Sequence, residues 1–154
     1  MLGLPAPDFS ATADDGATIS LSSLRGSWAV LYFYPKDNTP GCSIEANKFE
    51  QALPEFTALG ATVIGVSTDS SASHTKFRES CNLTFPLLPD TDKVISKAYG
   101  VLGGLTGLLS VADRQTFLID PEGKVAKHWK RVNPMTHAVE VKRELEDQIN
   151  AARA

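Results

Sequence analysis

Two apolar runs separated by one amphipathic stretch restrict the fold of this 154-residue chain more than any other feature. "WAVLYFYP" (28–35) and "ATVIGVSTD" (61–69) are continuous and rich in β-branched and aromatic residues. That pattern predicts strands buried on both faces, the first stopped by Pro35. Between them, Ile44, Phe49, Leu53 and Phe56 recur at roughly helical spacing over 42–59, with Gly60 as a stop. Pro54 lies inside this helix and predicts a kink or broken turn near 50–54. Upstream, Asp15-Gly16 within "ATADDGATISLSSL" signals a hairpin. Downstream, 71–82 reads as a short helix, "FPLLPD" as a short strand and "DKVISKAYGV" as another short helix. Residues 115–132 read as a hairpin turning at Pro121-Glu122-Gly123. A last helix over about 136–152 carries Ala138, Val141, Leu145 and Ile149 on one stripe. The sum is an α/β fold: a mixed central sheet flanked by helices, with an N-terminal hairpin. No repeat or break in composition divides it, so one domain over 1–154 is expected.

Composition narrows the setting. The chain is 42% hydrophobic and 21% charged, with a net charge of −3. Nothing is basic enough for a nucleic-acid partner. No stretch approaches the roughly 20 apolar residues of a membrane span. The start, "MLGLPAPDFS", lacks the charged and apolar regions of a signal peptide. A cytoplasmic, reducing setting follows as the expectation. Two cysteines are too few for a disulfide scaffold and lack the spacing of a zinc site. In such a setting a cysteine is reactive or plainly buried rather than bridged.

Cys42 invites the first of those readings. It follows the first buried strand by a short loop, at the strand end where chains of this class place functional groups. In "TPGCSIE", Thr39 suits an N-cap whose oxygen accepts a backbone N–H. Pro40 suits the first helical position, and Gly41 permits close approach of a ligand. Cys42 then lies among unpaired N–H groups at the positive end of the helix dipole, an environment that favours the thiolate over the thiol. The same position would also suit a small apolar residue filling the strand–helix junction. The Thr-Pro-Gly lead-in favours the reactive reading.

The residues "PKDNTPGCSIEA" (35–46) resemble the active-site loop of peroxiredoxins, Pro-x-x-x-Thr-x-x-Cys, with Pro35, Thr39 and Cys42 matching position by position. The Thr-Pro-Gly-Cys form followed by Glu45 is most similar to the bacterioferritin comigratory protein, or Q-type, branch. "DRQTFLID" (113–120) resembles that branch's Arg-x-Thr-Phe-Leu-Ile-Asp strand and supplies Arg114. "PAPDF", "GVSTD" and "FPLLPD" also resemble family segments, so the likeness runs in order through nearly the whole chain. It implies a thioredoxin-like fold and a thiol-dependent peroxidase acting on hydrogen peroxide and organic hydroperoxides. Cys42 would be the peroxidatic nucleophile, oxidised to sulfenic acid and recycled by thioredoxin or a similar thiol donor. Arg114 would hold the thiolate and donate to peroxide oxygens, as its fixed charge and forked donors allow. Thr39 would donate to the same oxygens, and Pro35 would shield the pocket from water. No metal or organic cofactor is needed. The expected partners are a peroxide and a thiol reductant, with no nucleic acid and no membrane, and the expected state is a monomer.

Two departures from the family pattern matter. Where many Q-type members carry a resolving cysteine five residues after the first, this chain has Asn47. Others place the resolver just after a phenylalanine matching Phe77; here that residue is Arg78, and Cys81 follows one turn later. Cys81 is thus either a resolving thiol, reached after the Cys42 loop partly unwinds, or a helix residue packing on the sheet. The second departure is "VLGGLTGLLSV" (101–111), glycine-rich and apolar where relatives often carry aromatic and basic residues. It reads as a plain loop, a lid or a partner surface. His74, His128 and His137 lie apart and read as exposed or structural. Asp69 reads as a cap for the next helix. Trp28 and Trp129 read as core or rim packing. Glu45 either orients active-site groups or suits the helix dipole. A general thiol–disulfide oxidoreductase and a redox sensor are the competing functions; the first usually wants Cys-x-x-Cys, and no second thiol follows Cys42 at that spacing.

Overall fold

The computed structural model describes residues 2–102 and 112–153. Its strands form two sheets. β1 (Ser10–Thr12) and β2 (Thr18–Ser20) make the N-terminal antiparallel hairpin across Asp15-Gly16. The main sheet contains β3 (Trp28–Phe33), β4 (Ala61–Ser67), β5 (Leu87–Pro89), β6 (Gln115–Ile119) and β7 (Val125–Trp129), in the order β5-β4-β3-β6-β7. β4 runs parallel to both β3 and β5, whereas β6 is antiparallel to β3 and β7, so the sheet is mixed. The helices are α1 (Pro40–Ala58), α2 (Ser71–Cys81), α3 (Val94–Ala98) and α4 (His137–Arg153).

The continuous apolar runs are explained by burial on both faces. On β3, Ala29, Leu31 and Phe33 join one core cluster, while Val30, Tyr32 and, just past the strand, Tyr34 join the other. This is the two-residue period of a strand applied to a central position. The first cluster packs the sheet against the N-terminal segment and α3 through Phe9, Ile95 and Tyr99. The second packs it against α1, α2 and α4 through Phe49, Phe56, Phe77, Val141 and Leu145. Trp28 and Trp129 pack at the rim of this second cluster, as their sequence positions predict.

One local expectation fails. α1 runs through Pro54 without a break. Pro54 lies on the exposed side, and the buried Phe49 and Phe56 on either side of it anchor the helix to the sheet. Packing of the apolar face outweighs the single backbone bond that the proline removes. Residues 103–111, most of the glycine-rich segment, lie outside the described residues. Among the described residues, no helix is long and apolar enough to cross a membrane.

Candidate active site

β3 ends at the centre of the sheet, and the chain turns through 35–39 into α1. Asn38 takes a left-handed backbone conformation in this turn, with φ of 59°. Thr39 stands at the N-cap position and Pro40 in the first turn. The Thr39 side chain makes no capping bond, contrary to the sequence expectation: its hydroxyl donates to the Lys36 carbonyl at 2.9 Å. Thr39 therefore braces the turn instead of the helix. The backbone carbonyl of Thr39 accepts from Ser43 N–H at 2.8 Å, which leaves Gly41 and Cys42 as first-turn N–H groups without an intrahelical acceptor.

Cys42 is 1% exposed, so its sulfur can be reached only by a small group unless the loop opens. Arg114, just before β6, is brought to it from the neighbouring strand. Its Nη2 donates to Cys42 Sγ at 3.3 Å, and its Nη1 donates to Glu45 Oε1 at 2.7 Å. Gly41 serves this approach: a β-carbon there would lie 3.0 Å from Arg114 Nη2. The glycine predicted to admit a ligand thus admits the guanidinium, with Pro134 on the outer side. Pro35 is half-buried at the end of the strand.

Glu45 is the clearest gain over the sequence reading. It is fully buried one turn after Cys42 and pairs with Arg114, so of its two readings the orienting one holds. Burial pushes its carboxyl up to about 7, and the Arg114 charge and hydrogen bond offset only part of this. Burial pulls Arg114 down, but the neighbouring Cys42 and Glu45 outweigh it, and the guanidinium stays charged. Further along the same layer, His137 donates to or accepts from Thr116 Oγ1 at 2.7 Å through Nε2. Burial, reinforced by the Arg114 charge, lowers it to about 4, so it is neutral at pH 7.

A second polar cluster lies under the turn, and nothing in the sequence pointed to it. Asp37 and His74 are buried and meet at 2.7 Å. Asp69 does not cap α2; Ser70 does, accepting from Ser73 N–H, while Asp69 Oδ2 accepts from Asp37 N–H and Ser67 Oγ. The ligand atoms of Asp37, Asp69 and His74 lie within 4.8 Å of one another, close enough for a metal ion. Both carboxylates and the imidazole are already engaged in hydrogen bonds, which accounts for their proximity without an ion. Their partners lie more than thirty positions apart in sequence, so no spacing rule could find them. His74 and His137 are thus buried, hydrogen-bonded rings and not exposed ones.

Cys81 is the last residue of α2, half-buried against the same core cluster as Cys42, and both thiols are free. Arg78, at the position of the missing resolver, grips Asp14 through Nε at 2.6 Å and Nη2 at 2.8 Å and also donates to the carbonyls of Leu83 and Phe85.

A thiol in the first turn of a helix after a central strand, held by a half-buried arginine on a thioredoxin-like sheet, defines a thiol-dependent peroxidase, an oxidoreductase. Residues 2–128 match the AhpC/TSA family, and the chain belongs to it. It is similar to Peroxiredoxin Bcp of Bacillus subtilis, at 42% identity over 149 residues and 95% of each chain. A putative peroxiredoxin bcp of Helicobacter pylori is 44% identical over 145 residues, covering 91% of this chain and 94% of the relative. The solved peroxiredoxin Q of Xanthomonas campestris superposes with a TM-score of 0.87 at 38% identity, over 96% of each chain.

Proposed function

We propose that Cys42 is the peroxidatic nucleophile of a peroxiredoxin that reduces hydrogen peroxide and organic hydroperoxides. The Cys42 thiolate attacks the terminal peroxide oxygen, the O–O bond breaks, and the leaving oxygen takes a proton to depart as water or an alcohol. Cys42 is left as a sulfenic acid. A thiol then attacks its sulfur, water leaves, and a second thiol reduces the disulfide. Arg114 steadies the thiolate and the charge that develops on the oxygens. The free N–H groups of the first turn add donors, Thr39 contributes its hydroxyl once peroxide competes with Lys36, and Pro35 limits water. The Arg114 contact to Cys42 Sγ, with the same guanidinium fixed by Glu45, carries this reading.

Thioredoxin or a similar dithiol is the reductant, and the chain works as a cytoplasmic monomer, one domain over 1–154. Cys81 is the internal thiol that takes over the sulfenic acid after the first turn of α1 unwinds. Intact mass after one equivalent of peroxide tests this. A loss of two hydrogens supports a Cys42–Cys81 bridge, and a gain of one oxygen assigns resolution to an external thiol. For the nucleophile itself, Cys42→Ser retains the fold and loses peroxide turnover; thiol-dependent turnover in that variant moves the site elsewhere.

A further inference from the structure

Asp37 stands five residues before Cys42, yet its carboxylate is engaged by Tyr34, Ser73 and His74. It is 5% exposed, and its partner His74, on α2, is 0% exposed. Asp37 Oδ1 accepts from Tyr34 Oη at 2.7 Å. Asp37 Oδ2 accepts from Ser73 Oγ at 2.7 Å and lies 2.7 Å from His74 Nδ1. The backbone N–H of Asp37 donates to Asp69 at 2.8 Å. His74 Nε2 lies 3.0 Å from the Leu88 carbonyl.

These contacts settle the hydrogens. A carbonyl oxygen only accepts, so His74 Nε2 carries a hydrogen. The contact between Nδ1 and the Asp37 oxygen also needs one, because a bare nitrogen facing a carboxylate at that distance would be repelled. The pair therefore shares a second hydrogen, without which the contact between the loop and α2 reverses sign. Burial pushes the Tyr34 phenol up, so it remains a donor to Asp37. Among the described residues, Asp69 below and Asp14, held by Arg78 of α2, are the other charged groups around it. A buried group of this kind is costly to leave unpaired, so the contact is made fully or the loop leaves.

We propose that Asp37 and His74 form a latch that docks the turn in front of Cys42 onto α2, positioning the first turn of α1 for the peroxide step until the turn is released to meet a thiol. The two are positioning residues and touch no reacting atom. The turn hangs from Asp37: Lys36 holds Thr39, and Thr39 begins the helix that presents Cys42. The role assigned to opening rests on Cys42 as the nucleophile; the latch itself does not.

The test is hydrogen exchange by mass spectrometry on the reduced full-length chain without peroxide, so it stands or falls separately from the peroxidase reading. His74→Phe keeps a ring and removes both donors. Peptides covering 35–45 should exchange at least about tenfold faster, from the loss of hydrogen bonds to a charged group, while α4 is unchanged. In single turnover the peroxide step should slow, whereas capture of the sulfenic acid by a small thiol should not. A merely structural role would lower both or neither. Asp37→Asn supplies the bridging hydrogen from its amide and should keep 35–45 protected. Ser73→Ala removes one donor at the edge of the cluster and should loosen the segment by a smaller factor than His74→Phe. Unchanged exchange in His74→Phe, or an Asp37→Asn variant as open as His74→Phe, overturns the latch. If His74→Phe does not fold, the ranking of the other two decides: greater protection in Asp37→Asn than in Ser73→Ala supports the latch, and the reverse sinks it.

Discussion

The strands of the main sheet send alternate side chains to two sides, and the sides differ in chemistry. Ala29, Leu31 and Phe33 of β3 meet Ile64, Val66, Phe117 and Ile119, an almost wholly apolar layer under the N-terminal segment and α3. Val30, Tyr32 and Tyr34 meet α1 and α4, and there the apolar layer is interrupted by Cys42, Glu45, Thr116 and His137, all buried. The unpartnered buried atoms follow the same division. Tyr32 Oη, Glu45 Oε2 and His137 Nδ1 lie on the α1 and α4 side, with only Ser96 Oγ on α3 among the described residues. Stability is concentrated in one layer, and the other gives up some of its own to hold polar groups out of water around the sulfur.

The largest effect that sharpens this contrast is on the apolar side. Phe117 is fully buried between Phe33 and Tyr99. Phe117→Ala should cost about 3–5 kcal/mol in urea unfolding, the range for deleting a buried ring. Peroxide reduction per folded molecule should stay near wild type. A specific loss of activity at full folding would show that the two layers are not separable. The converse experiment is Arg114→Ala, which should slow peroxide reduction about 10²–10³-fold, as loss of one preorganised donor does, with a smaller change in unfolding. Arg114→Lys should recover part of the rate, since it keeps charge without the fork. A rate within a factor of a few of wild type in Arg114→Ala removes the guanidinium from the chemistry.

The polar layer should also respond to pH. His137, lowered to about 4, is stable as the neutral ring. Its folded form binds its proton less readily than the unfolded chain, so its contribution is complete above the ordinary histidine value near 6.5 and is lost as pH falls towards 4. The scale is about 3 kcal/mol. Glu45, raised to about 7, acts in the opposite sense: its contribution is complete below the ordinary carboxyl value and is lost as pH rises through 7. The two partly cancel between them. Urea unfolding of His137→Gln beside wild type, from pH 7 to 4, separates them. The variant should lose less stability over that range, and parallel curves would assign the acid response to other groups.

The sequence made the sheet legible because periodicity reports burial. Both continuous runs became central strands, and the alternation on β3 decides which residues face Cys42. The position of Cys42 in a first helical turn was also legible, because proline, glycine and a cap residue act locally. What escaped was decided by which partner each side chain finds, near or far along the chain. Thr39 had the right position and the wrong partner, because the turn bends its hydroxyl back to Lys36. Asp69 has the position of a cap, but Ser70 fills that role and Asp69 is drawn to Asp37. At Pro54 the backbone alone predicts a break, and the packing of Phe49 and Phe56 overrides it. The Asp37–His74 contact depends on how α2 lies against the turn, which no local rule encodes.

The smallest expected effect concerns two tyrosines, one on β3 and one just past its end, that face the same core cluster. Tyr34 donates to Asp37, whereas the hydroxyl of Tyr32 has no partner among the described residues although its ring is buried, stacked on Phe49 at 4.7 Å. Tyr32 is confined from the other side as well, since a β-carbon on Gly65 would lie 3.1 Å from its ring. Burial, and then the charges of Glu45 and Cys42, push its phenol well above the usual range, so the hydroxyl remains protonated. On folding it gives up water and gains no bond. Tyr32→Phe removes that uncompensated group and leaves only the volume of one oxygen, so it should be neutral or stabilise by up to about 1 kcal/mol. Tyr34→Phe takes a donor from a buried carboxylate and should destabilise by about 1–3 kcal/mol. Equal unfolding midpoints for the two variants would erase the distinction. A Tyr32→Phe variant that gains stability but loses peroxide reduction would assign the unpaired hydroxyl to the chemistry at Cys42, and its burial cost would then be part of building the site.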